Sequence, residues 1–243
     1  MRKRTIAVVV SSLLLASAAA WAAVVTQDGG FESGVPNSFW DESSSNFGTV
    51  LCTVGSCGTG TGTGPRNGTW WAWFGGTSAA EVGRAYQTMV IPSGTATLTF
   101  WLEARVASNN PNDFLAVSID NSELFRLRGD ETAPYANYAQ VTIDVSAFAD
   151  GNSHTLKFDS TKVAGGSMNF FVDDVELNVD ETITCADQGY TGTKLTWCKN
   201  ICENGLTGAT LDIWIHRWIN RYRDLPYCAQ EGGGEEEPPP QEA

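Results

Sequence analysis

Thr97-Leu98-Thr99-Phe100-Trp101-Leu102-Glu103-Ala104 alternates apolar and polar side chains with a period of two residues. Successive side chains of an extended chain point to opposite faces, so Leu98, Phe100, Leu102 and Ala104 share one face and Thr99, Trp101 and Glu103 the other. Such a segment is a half-buried strand. Further runs follow at Phe114 to Ile119, Glu123 to Leu127, Gln140 to Val145, His154 to Asp159 and Asn169 to Val179, separated by Gly, Asn, Asp or Pro. Short strands at that spacing predict a mainly β unit over about residues 24–180, an antiparallel two-sheet sandwich. The alternating Gly and Thr residues from Gly58 to Gly64, ahead of Pro65 and Asn67-Gly68, are expected to form a mobile surface loop.

Residues 1–23 read as a removable secretory signal, with basic Arg2, Lys3 and Arg4, an apolar or small run from Ile6 to Ala20, and small residues at Ala20 and Ala22. The apolar core is shorter than the about 20 residues of a membrane span. The mature protein is therefore expected to be secreted or otherwise extracytoplasmic and not membrane-spanning. Loss of the signal takes the net charge from −13 to −16. Residues 24–184 hold 19 acidic against 7 basic residues, whereas residues 185–230 hold 4 against 5. An acidic surface of this kind excludes nucleic acid as a partner, because phosphates need a basic face, and it suits calcium.

Six cysteines in an exported chain predict three disulfides. Cys52 and Cys57 are close enough to close a short turn, while Cys185, Cys198, Cys202 and Cys228 allow three pairings that spacing does not separate. After Thr184 the apolar period becomes helical. Thr193 is expected to cap a helix with Leu195, Cys198, Ile201 and Cys202 on one face, stopped by Asn204-Gly205. A second helix starts near Thr207-Gly208 and carries Leu211, Trp214, Ile215, Trp218 and Tyr222 as an apolar stripe. Residues 185–230 thus read as a small helical hairpin that needs disulfide staples. The stretch 231–243, rich in Gly, Glu and Pro, is expected to be disordered.

The sequence has no Gly-x-Ser-x-Gly elbow, zinc-protease helix or phosphate loop, and its two histidines, His154 and His216, fall in a hairpin turn and on the second helix. No catalytic residue is assigned. Trp101 projects away from the face claimed by Leu98, Phe100 and Leu102, and with Glu103 and Arg105 beside it offers a stacking platform and polar partners. Packing of Trp101 under a loop is the competing reading.

Asp28-Gly29-Gly30-Phe31-Glu32-Ser33-Gly34 opens the mature region and Phe170-Phe171-Val172-Asp173-Asp174-Val175-Glu176-Leu177 closes it. On these phrases the region resembles the jelly-roll modules of the carbohydrate-binding and galactose-binding-like group, with Asp28 where that group more often has Asn. The resemblance implies a jelly-roll sandwich, a glycan or cell-surface polymer as partner, and a structural calcium where first and last strands meet. Asp28, Glu32, Asp173 and Asp174 are its expected ligands, since a hard cation wants six to eight oxygens. The terminal segment resembles short cysteine-bounded modules of exported bacterial proteins. The expected function is a non-catalytic extracellular binding protein, with a structural or adhesive surface protein and a small secreted hydrolase as alternatives.

Overall fold

The computed structural model describes residues 22–181 and 183–230, so most of the expected signal and the whole acidic tail lie outside the described residues. The chain divides into two units, Trp21–Thr182 and a C-terminal one from Ile183 onward.

The first unit is a sandwich of two antiparallel sheets. One contains β3 (Leu51–Thr53), which leads into the short helix α1 (Val54–Cys57), then β4 (Trp70–Gly75), β11 (Asn169–Glu181), β6 (Gly94–Glu103) and β9 (Ala139–Asp144) in that order, with β1 (Ala22–Val24) also paired to β11. The other runs β2 (Asp41–Ser44), β5 (Glu81–Val90), β10 (Ser153–Lys162), β7 (Phe114–Ile119) and β8 (Ser122–Arg128). From β4 to β7 the chain switches sheet at every connection, the wrapping of a jelly roll. Leu98, Phe100 and Leu102 of β6 are fully buried, and Phe100 meets Phe158 edge-on at 5.3 Å across the sandwich. The two inner faces thus make one core.

The β11 strand does not keep a single alternation. Phe170 and Val172 face the core before Asp173, and Val175, Leu177 and Val179 face it afterwards, which is a change of parity. A bulge between Asp173 and Glu176, with Asp174 at φ 48°, inserts the extra residue that lets both halves stay buried. The Gly29 backbone docks there: its carbonyl accepts from Val175 N–H at 2.9 Å. A Cβ on Gly29 would lie 1.9 Å from the Val175 carbonyl oxygen, so the close approach requires glycine. The opening and closing phrases of the sequence therefore meet.

At one end of β10, His154 Nε2 lies 3.0 Å from Asp150 and Nδ1 2.9 Å from Asp120. Both ring nitrogens are thus taken by carboxylates. The hydrogen bonds to Asp150 and then Asp120 raise the His154 pKa above its ordinary value, and those to His154 lower both acids. The clasp contributes stability in full below the unfolded histidine pKa of about 6.5 and loses it as pH rises through the raised folded value. The two carboxylates contribute above their unfolded pKa of about 3.9 and lose that on acidification. Melting temperature should therefore fall between pH 6 and 9 in the wild type and fall less in His154→Gln; equal pH profiles would show that the clasp contributes nothing.

The C-terminal unit holds α2 (Gly192–Cys202), α3 (Gly208–Tyr222) and α4 (Tyr227–Gln230) around buried Cys185, Cys198, Leu211 and Trp218. The first of these starts after Thr191, two residues earlier than Thr193, and Thr191 makes no side-chain cap. Disulfides join Cys185 to Cys198 and Cys202 to Cys228, and a third joins Cys52 to Cys57 in the sandwich. Both bridges of the helical unit tie flanking segments to the C-terminal half of α2, covalent staples that a unit with so small a core needs.

Candidate functional site

The outer face of the β4-β11-β6 region is not bare. Trp71 is fully buried there, Phe171 nearly so, and Trp73, Tyr138 and the Cys52–Cys57 bridge complete a second, smaller core. The cover is the Gly-Thr segment expected to be mobile. Thr63 N–H donates to the Glu103 carboxylate at 3.1 Å, Tyr138 Oη donates to the Gly64 carbonyl at 2.7 Å, and Arg66 N–H donates to Asp173 at 2.7 Å. A Cβ on Gly62 would sit 2.2 Å from the Phe171 ring, so the small residues let this backbone lie directly on aromatic faces. The segment is a strap held by specific bonds, and that corrects the reading of it as a mobile loop.

The strap decides where the expected ligand residues stand. Trp101, Glu103 and Arg105 are together, the first two beneath it and Arg105 exposed at its edge. The Arg66 guanidinium lies 3.7 Å over the Trp101 ring, Glu103 is only 1% exposed, and Arg105 reaches the Thr61 carbonyl and Asn137 at 3.4 Å. Trp101 is half-buried, with one face of its ring covered by Arg66 of the strap. Alternation correctly gave its face of the sheet, and the covering segment from far away in sequence was not visible to it.

The expected calcium ligands divide. Asp28 spends its carboxylate within its own loop, accepting from Ser33 N–H at 3.2 Å and from Asn37 Nδ2 at 2.7 Å. Glu32, Asp173 and Asp174 do converge: Glu32 Cγ and an oxygen of each aspartate lie 3.7–3.9 Å from the Cβ position that Gly30 lacks. Glu32 Oε1 accepts from Thr69 and Trp70 N–H, Asp173 from Arg66 and Asn67 N–H, and Asp174 pairs with Arg66. Burial, with the Asp174 charge adding to it, pushes the Asp173 pKa up to about 7. The three acids bring hard oxygens, the ligand type calcium takes, to the neighbourhood of the side-chain-free Gly30. Among the described residues, only Cys185, Cys198 and Cys202 place three potential ligand atoms within 4.8 Å of one another, and these are disulfide-bonded, so a cation would have to draw the carboxylates closer.

A groove of about 460 Å³ opens beside the β3 edge, lined by Phe47, Thr49, Leu51, the Cys52–Cys57 bridge, Ser56, Trp73, Gly75 and Gly76. Trp73 is fixed in it, because its Nε1–H donates to Asn169 Oδ1 at 3.1 Å and Trp71 stacks on it at 6.3 Å. Phe47 is presented by the Ser44–Gly48 turn, whose backbone bonds measure 3.1 and 3.2 Å, and remains 58% exposed. No lining side chain carries a charge. The sequence signal for this site was the Trp70–Trp73 cluster; what it lacked was which tryptophan the strap leaves accessible.

Three solved structures are similar to part of the chain. The module TmCBM61 in complex with β-1,4-galactotriose is 16% identical, covers 63% of this chain and 97% of its own, and has a TM-score of 0.45. The K3 cleaved adhesin domain of Lys-gingipain from Porphyromonas gingivalis is 16% identical over 65% of this chain and 99% of its own, at 0.42. A Stig cyclase from Fischerella is 13% identical over 67% and 100%, at 0.43. No family model matches the chain, and no curated protein does. Among the described residues, no helix is long and apolar enough to cross a membrane.

Proposed function

We propose that the sandwich is a non-catalytic, extracytoplasmic binding module that holds an uncharged sugar in the Trp73 groove. The observation that carries this reading is a hydrogen-bonded indole and an exposed phenyl ring that line one concave groove without a charged side chain. Sugar rings present apolar C–H faces that pack on aromatic rings, and a fixed ring loses little entropy on binding. Side-chain-free Gly76 leaves room beside the indole, where a Cβ would lie 3.0 Å from its ring. In a chain of net charge −13, an uncharged lining favours a neutral glycan over an acidic one. Three disulfides agree with an oxidising compartment. An array of neutral and acidic glycans probed with the full chain and with Trp73→Ala tests the proposal. Retention of neutral glycans by the wild type and its loss in the variant are expected; no retention by either would overturn it.

A structural calcium belongs to the same reading. Glu32, Asp173 and Asp174 would hold the ion, and it would neutralise the acids where Gly29 docks on the bulge. A ligand at a hundredfold excess over its Kd adds about 2.7 kcal/mol to stability. Melting temperature should therefore rise with millimolar calcium and fall with a chelator. Glu32→Gln should remove most of that shift; a wild type indifferent to chelator would rule the site out.

A further inference from the structure

The arginines of the two units differ in how they are compensated. All five in the sandwich, Arg66, Arg84, Arg105, Arg126 and Arg128, have a carboxylate within 4.0 Å. In the C-terminal unit Lys194–Asp224, at 4.0 Å, is the ion pair formed among the described residues, and Arg217 and Arg221 have none. Their partners are indoles instead. The Arg217 guanidinium lies 5.0 Å from the Trp214 ring and that of Arg221 5.4 Å from Trp197, while the two indoles meet edge-on at 6.2 Å. Ile213, Arg217 and Arg221 follow one another at four-residue steps of α3, which places them in one row. Ile213 is 52% exposed at the head of that row.

From this we infer that the α3 face formed by Ile213, Trp214, Arg217 and Arg221, together with Trp197 of α2, is a docking surface for an anionic lipid bilayer. Two cations without a carboxylate partner among the described residues form the complement of a negative surface. Guanidinium groups keep their charge and are more weakly hydrated than ammonium groups, so they stay on aromatic faces while binding phosphate. Indoles favour the headgroup region, and an exposed aliphatic side chain beside them has somewhere to enter. A soluble polyanion would use the cations and leave Ile213 without a role. This inference is independent of the Trp73 groove.

The test is co-sedimentation of the full chain with phosphatidylcholine vesicles, with and without phosphatidylglycerol. Each basic residue near an anionic membrane contributes about 1 kcal/mol, so R217Q/R221Q should partition roughly 30-fold more weakly than wild type onto the anionic vesicles. The two should be alike on neutral vesicles and should converge at high salt. Ile213→Ser should weaken anionic binding several-fold, and Trp73→Ala should leave it unchanged. R217K/R221K keeps the charge and should retain most of the binding, which separates docking from damage to the helix. Equal partitioning of wild type and R217Q/R221Q onto anionic vesicles would overturn the inference. So would binding to a soluble anionic polysaccharide without binding to anionic vesicles.

Discussion

Trp71→Ala should lower the unfolding free energy by about 3–5 kcal/mol, the range for deleting a buried tryptophan, and with it the melting temperature by roughly 10 °C or more. The ring is fully buried between the sheet and the strap, stacked on Trp73 and tilted against Phe171 at 5.7 Å. Its Nε1–H has no partner in the structure, so the loss is one of packing and not of a hydrogen bond. Trp71→Phe, which keeps an aromatic ring in the cavity and drops the orphaned donor, should recover much of the difference. Trp73, two residues away, is half-buried and lines the groove. Trp73→Ala should cost clearly less stability than Trp71→Ala while removing glycan retention. A comparable loss of stability in both variants would mean that the groove tryptophan is a core residue.

Gly29→Ala should cost about 3 kcal/mol, at the upper end for overpacking, because the added methyl would meet a backbone carbonyl that has no rotamer to escape into. The neighbouring Gly30 provides the control. A Cβ there finds its nearest atoms at 3.7–3.9 Å, an ordinary contact distance, and Gly30 is not in the left-handed region. With chelator present, so that cation binding does not enter, Gly30→Ala should change stability by no more than about 0.5 kcal/mol. Denaturant melts of the two variants decide the point. Equal effects would contradict docking of Gly29 onto the β11 bulge.

Much of the sandwich was legible because its inner faces are apolar. The run read as Phe114 to Ile119 is β7 with those bounds, β8, β10 and β11 contain their expected segments, and β6 and β9 each end one residue short of theirs, at Glu103 and Asp144. The β5 strand escaped because its pattern is inverted. Glu81, Gly83, Ala85 and Gln87 face inward while Val82, Tyr86 and Val90 are exposed. The inward polar groups are satisfied: Glu81 accepts from Ser44 Oγ at 2.9 Å, and Gln87 exchanges two bonds of 2.8 Å with the Gln27 backbone. Hydrophobic alternation has no access to such partners. The site was less legible for a related reason. Trp101 and Trp73 both lie on the outer face of their sheet, and only the strap between Gly58 and Gly68 determines that Arg66 covers Trp101 while Trp73 borders open space. Disulfide pairing in the C-terminal unit likewise follows from how α2 and α4 are placed, which spacing alone left open.

The central claim is that ligand enters beside Trp73 and not on the covered face. The most direct measurement is the shift of the tryptophan indole N–H resonances in a ¹⁵N-labelled chain as a neutral glycan retained on the array is added. The Trp73 N–H, which donates to Asn169, and the backbone amides of Gly75 and Gly76 should move most, with Trp101 beneath Arg66 nearly unchanged. Dominant shifts at Trp101 and Arg105, with Trp73 undisturbed, would contradict the account.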